Sequence, residues 1–170
     1  NGEVFMKNRE TDEWLKQNEK STREFIRKWG HFCKHDKFLK PIIPPKYDIG
    51  FVITNANLEL IKILEPWCST VYTDNDRLKY YSIEQPFTSF NLEDRVLPYD
   101  NEKQNNILVE IDGNRFTNND FRIIQTFSEI LANDNQLQEL IMIEPTNFEI
   151  ENLKVTIIKL ETYENKLIHI

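Results

Sequence analysis

The stretch YDIGFVITNANLELIKILEPWCSTVYTDND, residues 47–76, decides the fold of this chain. Its first seven residues are mostly apolar and rich in strand formers, and the turn-forming pair Thr54 and Asn55 follows them. Asn57 then starts a short apolar helix that a proline ends, and residues 69–73 return to a strand pattern. A strand, a helix and a strand in this order predict a parallel pair joined by a right-handed crossover.

The residues after this unit continue the alternation of helices and strands. A helix is predicted over 76–85, and a short strand is predicted around 95–97. The apolar run at 106–112 predicts a buried strand. Thr117 and Asp120 have the spacing of a capping box, and an amphipathic helix follows them.

The last part of the chain predicts two strands at the edge of the sheet. These strands cover residues 140–143 and 153–160, and a loop through Pro145 joins them as an antiparallel pair. The fold class that follows is α/β, with a small three-layer, mostly parallel sheet of the Rossmann-like kind.

A helical segment is predicted ahead of the sheet. One or two helices cover residues 9–30 and end at Gly30, and Ser21 with Glu24 has the spacing of a capping box. Residues 34–46 contain three prolines and are therefore predicted to form an extended connecting strap.

The composition excludes several classes of protein. The 170 residues are enough for one main core, and 28 acidic against 21 basic residues give a net charge of −7. This charge disfavours binding to nucleic acid or to an anionic membrane surface. No apolar run approaches the roughly 20 residues of a membrane span. The only two cysteines are isolated, so we expect a reducing, cytoplasmic location.

Carboxylates follow two of the predicted strands. Asp74 and Asp76 form an Asp-x-Asp motif directly after the strand at 69–73, and Asp112 ends the strand at 106–112. Carboxylate oxygens are the ligands that hard divalent cations prefer, so these three residues are candidate ligands of Mg²⁺ or Mn²⁺. The alternative is structural, because Asp and Asn often cap free amides at strand and helix ends.

The same edge of the sheet is the predicted place for a ligand. In open parallel sheets, ligands bind beyond the carboxyl ends of the strands, which here makes Thr54, Asn55 and Gly113 candidate ligand-binding residues. No glycine-rich phosphate loop follows any predicted strand, and no nucleophile elbow is present. The sequence therefore predicts no catalytic residue.

A second group of metal-capable side chains lies near the N-terminal helices. His31, Cys33, His35 and Asp36 are close in sequence, but their spacing matches no common structural zinc pattern. A structural or surface role is the favoured interpretation.

One segment carries a family resemblance. Residues 21–30, STREFIRKWG, resemble the helix that closes the catalytic domain in many bacterial family 2 glycosyltransferases, where a Phe is followed by Lys-Trp-Gly. In this chain those three residues are Lys28, Trp29 and Gly30. The continuation at residues 31–45, 47–53 and 64–69 is similar to the C-terminal extension of some such enzymes.

The resemblance implies a division of the chain and a role. Residues 1–46 would be the end of a catalytic domain lying upstream in the same polypeptide, with the family's metal motif and catalytic base in that upstream part. Residues 47–170 would be a non-catalytic accessory domain serving acceptor binding, assembly or positioning in glycan synthesis. Asp74 and Asp76 follow the Lys-Trp-Gly helix, which is the wrong order for the family's own metal motif.

The sequence leaves two alternative functions open. The first is a self-contained Mg²⁺-dependent site at Asp74, Asp76 and Asp112 that binds a phosphorylated or nucleotide-sugar ligand. The second is an interaction module that forms a homo-oligomer through the predicted edge strands at 140–160.

Overall fold

A computed structural model of the chain describes residues 12–32, 34–42 and 45–162. The six helices of these ranges are α1 (Asp12–Trp29), α2 (Leu58–Leu64), α3 (Arg77–Glu84), α4 (Leu92–Arg95), α5 (Asn118–Asn133) and α6 (Asn135–Ile141). The strands are β1 (Lys34–His35), β2 (Pro41–Ile42), β3 (Ile49–Thr54), β4 (Thr70–Thr73), β5 (Val96–Pro98), β6 (Ile107–Asp112), β7 (Thr146–Ile150) and β8 (Leu153–Ile157). Short 3-10 turns at Glu65–Trp67 and Gln85–Phe87 follow α2 and α3.

Six of the strands form one mixed sheet, and β1 and β2 form a separate small hairpin. The order in the sheet is β5-β4-β3-β6-β8-β7, in which β3, β4, β5 and β6 are parallel. Strand β8 runs antiparallel to β6, and β7 runs antiparallel to β8. The predicted α/β class, the mostly parallel sheet and the antiparallel edge pair are therefore confirmed.

The unit at residues 47–76 forms as its pattern predicts. Five of the six residues of β3 are buried, which explains its continuous apolar run. The side chain of Asn57 caps α2 by accepting a hydrogen bond of 2.8 Å from the backbone N–H of Leu60. Pro66 then enters the 3-10 turn after α2, and β4 pairs in parallel with β3.

The helices pack on one face of the sheet. Alternate residues of a strand point to opposite faces, and Phe51, Val71, Val109 and Val155 all enter one core with the buried residues of the helices. The other face is partly covered by residues 99–106, which connect β5 to β6. The third layer is thus this segment rather than a set of helices.

Asn105 attaches this segment to the sheet. Its side-chain amide donates to Asp48 and Thr70, and its side-chain oxygen accepts a hydrogen bond of 2.7 Å from the Tyr72 hydroxyl. A side chain at Gly50 would meet Asn105, since a Cβ there would lie 2.5 Å from the Asn105 side-chain oxygen. The glycine in β3 therefore makes room for the covering segment.

The predicted capping box at Ser21 and Glu24 is wrong. Helix α1 is continuous through both residues and ends at Gly30, whose φ of +80° suits glycine. Good helix formers continue on the N-terminal side of Ser21, so the helix does not begin there. Glu24 accepts hydrogen bonds from Thr88 and Ser89 instead.

The strand predicted at residues 140–143 is also wrong. Asp134 caps α6 by accepting a hydrogen bond of 3.0 Å from Leu137, and Leu140 and Ile141 end that helix. The edge strand lies later, at Thr146–Ile150, within the stretch predicted as a loop. Its alternation of half-buried and exposed side chains is the two-residue period of a strand.

A buried ion cluster joins α1 to the rest of the domain. The guanidinium of Arg27 is fully buried and lies 2.9 Å from both Glu65 and Glu84, and 2.8 Å from Glu24. Burial opposes the charge of Arg27, but the hydrogen bonds and charge of Glu65 and the hydrogen bond of Glu84 outweigh it and raise the pKa of Arg27. We call this group the Arg27 cluster.

Three further side chains complete the Arg27 cluster. Arg23 pairs with Glu84 at 2.7 Å, Arg95 pairs with Glu65 at 3.2 Å, and the Tyr80 hydroxyl donates to Glu65 at 3.1 Å. Three arginines thus meet three glutamates, which balances the buried charge. Because α1 is attached in this way to the sheet domain, the predicted division at residue 46 is not visible as a break in packing and stays a prediction.

The helices of the described ranges include none with both the length and the apolar character that a membrane crossing requires.

We predict that the Arg27 cluster is strongly coupled. Arg27→Met leaves two buried carboxylates without their shared partner and should lower the free energy of unfolding by about 3–5 kcal/mol. In the double variant Arg27→Met with Glu65→Gln, the loss in free energy of unfolding should be smaller than the sum of the two single losses by about 0.5–3 kcal/mol. Urea denaturation at neutral pH measures all three values.

Lys34→Met is the matched control for this prediction. It removes the half-exposed pair of Lys34 with Glu129 and should change the stability by at most about 1 kcal/mol. Strictly additive costs for Arg27→Met and Glu65→Gln would contradict the coupling.

Candidate functional site

The carboxyl ends of β3, β4 and β6 meet at Asn55. From β3 the chain moves through β4 to β5 and then returns to the other side of β3 as β6, so the strand order switches between β3 and β6. Asn55 has a φ of +52°. Its backbone N–H donates to Asp74 and its side-chain amide donates to Asp112, each at 2.9 Å. Two of the predicted site carboxylates therefore contact one residue.

The two aspartates of the Asp-x-Asp motif differ in their contacts. Both carboxylate oxygens of Asp74 accept backbone N–H groups, from Asn55 at 2.9 Å and from Ala56 at 3.2 Å. Asp76 precedes α3 with a φ of +58°, and its side chain makes no capping bond to that helix. Asp74 thus satisfies the amides that β3 leaves free where it ends.

Asp112 and Gly113 shape the end of β6. Asp112 also accepts a hydrogen bond of 3.0 Å from the backbone of Asn114, and the donors on Asn55 and Asn114 hold the pKa of Asp112 below its usual range. The backbone of Gly113 donates to the Thr54 carbonyl at 2.8 Å. A Cβ at Gly113 would overlap the carbonyl oxygen of Asn55, so this close approach requires glycine.

The structure therefore brings together Thr54, Asn55, Asp74, Asp112 and Gly113. In the described ranges, no three side chains of the His, Cys, Asp and Glu types are grouped so that they could hold a metal ion. The Mg²⁺ or Mn²⁺ site at Asp74, Asp76 and Asp112 stays a prediction.

A groove opens beside this edge on the face of the sheet opposite the helices. Its volume is about 240 Å³, and we call it the switch-point groove. Its apolar floor includes Val52. Its polar lining combines the predicted residues Thr54 and Asp112 with Tyr99, Glu110, Arg115, Asn152 and Lys154.

Most of the residues that line this groove cannot be predicted from local sequence patterns. Glu110 and Lys154 become neighbours only because β6 and β8 pair in register, and these strands are far apart in the chain. Tyr99 comes from the segment that crosses the sheet after β5. The one available signal was the alternation in residues 107–112, which directs Glu110 away from the core.

A buried carboxylate orients one wall of the groove. Asp120 is fully buried and accepts hydrogen bonds from the backbone and the side-chain amide of Asn152, each at 3.1 Å. The oxygen of that amide accepts a hydrogen bond of 3.3 Å from Arg115. Burial opposes ionisation of Asp120, but the bonds from Asn152 and Thr117 outweigh it and lower its pKa. The predicted capping box of Thr117 and Asp120 is confirmed.

Comparison with protein-family models, curated proteins and solved structures finds no match to this chain.

The second metal-capable group has structural contacts where it is described. Cys33 lies outside the described residues. His31 is buried, with its ring edge-on to Phe25 at a centroid distance of 6.0 Å. Asp36 accepts backbone hydrogen bonds from Phe38 at 2.8 Å and Lys40 at 3.0 Å, so it shapes the turn of the β1–β2 hairpin.

We predict that Asp74 acts through the backbone amides it accepts. Asp74→Ala should lower the free energy of unfolding by about 0.5–2 kcal/mol, as the loss of a capping side chain does. The loss should be the same in EDTA and in excess Mg²⁺, measured by urea denaturation. Asp100→Ala, at an exposed turn, is the control and should change the stability little. A stabilisation by Mg²⁺ that Asp74→Ala abolishes would instead support the metal site.

Proposed function

We propose that this chain is a non-catalytic accessory α/β domain of a bacterial family 2 glycosyltransferase that acts in the cytoplasm. It would hold the upstream catalytic domain of the same polypeptide in a fixed position during glycan synthesis. The resemblance at Lys28, Trp29 and Gly30 supports this proposal. In the structure these residues form the end of α1, where Gly30 has a positive φ.

The Arg27 cluster is the observation that carries the proposal. Helix α1 bears the segment that resembles the end of the catalytic domain, and Arg27 on that helix is bound to Glu65 and Glu84 of the sheet domain. A buried ion cluster offsets its desolvation cost only when its geometry is kept, so in this proposal it favours one orientation of α1. A catalytic domain that ends in α1 would therefore be joined rigidly to this domain.

We predict that the coding sequence upstream of Asn1 encodes a family 2 catalytic domain with an Asp-x-Asp motif and a catalytic base. Reading the gene tests this directly. The isolated chain should not turn over UDP-sugars in the presence of Mg²⁺ or Mn²⁺, whereas the full polypeptide should. A reading frame without such a domain, or turnover of UDP-sugars by the isolated chain, would contradict the proposal.

We also propose that the chain forms a homodimer through the outer edge of β7. This edge carries no strand partner among the described residues, and an unpaired edge can extend the sheet across a twofold axis. Antiparallel pairing centred on Phe148 would place Glu149 beside Asn147 of the second copy, which avoids two facing glutamates.

We predict a concentration-dependent mass in sedimentation velocity. Asn147→Glu would place a glutamate opposite Glu149 on each side of the central Phe148 pair and should shift the equilibrium toward the monomer. Asn101→Glu adds the same charge in an exposed turn away from β7 and should leave the association unchanged. A monomer at all concentrations would rule out this dimer.

A further inference from the structure

The switch-point groove lies where ligands bind in open α/β sheets. It sits beside the carboxyl ends of β3 and β6, between which the strand order reverses. At about 240 Å³ it is smaller than the usual range of roughly 300–1,000 Å³ for sites that hold drug-sized ligands. Its size therefore favours a single small ring over a nucleotide.

The groove is lined by equal numbers of acidic and basic side chains. Glu110 and Asp112 supply two carboxylates, and Arg115 and Lys154 supply two cations. Within the described ranges none of the four is in an ion pair, although Glu110 and Lys154 lie opposite each other on paired strands. A lining of this kind gives no net attraction to either a cation or an anion.

Hydrogen bonds to neighbouring residues fix the positions of two of these charged groups. Arg115 donates to Asn152, whose amide is oriented by the buried carboxylate of Asp120. Asp112 is held by donors on Asn55 and Asn114. Side chains positioned in this way lose less conformational entropy when a ligand binds.

An aromatic ring stands beside these polar groups. Tyr99 is 39% exposed, and its backbone N–H donates to the Thr73 carbonyl at 3.0 Å, which fixes the start of the covering segment. The ammonium of Lys103 donates to the Tyr99 carbonyl and lies 5.0 Å from the centroid of its ring. The groove therefore offers an apolar surface next to fixed hydrogen-bonding groups.

We infer that the switch-point groove binds one neutral pyranose ring of a glycan. Each sugar hydroxyl both donates and accepts hydrogen bonds, so it matches a lining in which carboxylates alternate with a guanidinium and an ammonium. The apolar face of the ring would lie against Tyr99. That the glycan is the acceptor of the transferase rests on the proposed function above.

NMR titration of the whole chain with four methyl glycosides tests this inference: those of glucose, galactose, mannose and N-acetylglucosamine. Methyl phosphate is the anionic comparison probe. We expect at least one glycoside to shift the backbone amides of Gly113, Asn114 and Asn152. Tyr99→Ala and Arg115→Met should each weaken that binding about tenfold or more, which corresponds to about 1.4 kcal/mol.

Arg122→Met is the matched control. Arg122 is exposed on α5, outside the groove, so its replacement should leave the affinity unchanged. Arg115 is also exposed and makes one side-chain hydrogen bond among the described residues, so Arg115→Met should keep the spectrum of the fold elsewhere.

Three outcomes would overturn the inference. The first is that methyl phosphate alone shifts the amides of Gly113, Asn114 and Asn152. The second is that none of the four glycosides shifts them. The third is that Arg115→Met binds the glycoside as tightly as the unchanged chain does. The gene sequence upstream of Asn1 decides the proposed function separately. Glycoside binding without an upstream transferase domain would leave the groove as a sugar site of another kind of protein.

Discussion

The buried charge of Arg27 is the constraint on which the position of α1 depends. Ile26 is the only apolar residue of this helix that is buried in the described structure, and the residue beside it, Arg27, is the buried charge. Arg27 binds Glu65 at the turn after α2 and Glu84 at the end of α3. Removing these charges from water is costly, and the hydrogen-bonded arrangement of these three side chains compensates part of that cost. The cluster thus adds specificity of orientation to a sheet that has its own apolar core.

The predictable part of the fold is the part encoded by local signals. The unit at residues 47–76 could be predicted because the strand run, the Asn57 cap and the helix-ending proline all act within a few residues. The Arg27 cluster could not, since Arg27 meets partners 38 and 57 positions away in sequence. The edge strand was misplaced because an apolar helix end at Leu140 and Ile141 resembles a short strand.

The candidate site shows the same division between local and distant signals. Thr54, Asn55, Asp74, Asp112 and Gly113 were predicted from the ends of strands, and they do meet there. Their hydrogen bonds are mainly to one another and to the backbone, which is the structural alternative that the sequence left open. The side chains that open to solvent come from β8, from the turn after β6 and from the segment after β5, and only the tertiary pairing assembles them.

The sheet separates the two features on which our proposals rest. The Arg27 cluster lies on the helical face, where Glu65 and Tyr80 are buried, whereas the switch-point groove opens on the opposite face. No side chain is shared between them. The proposed positioning of a neighbouring domain and the inferred binding of a sugar ring would thus depend on separate sets of side chains of one sheet. Replacing Arg27 can therefore change how α1 is attached to the sheet while the groove keeps its lining, and replacing Arg115 can change the lining of the groove while α1 stays docked.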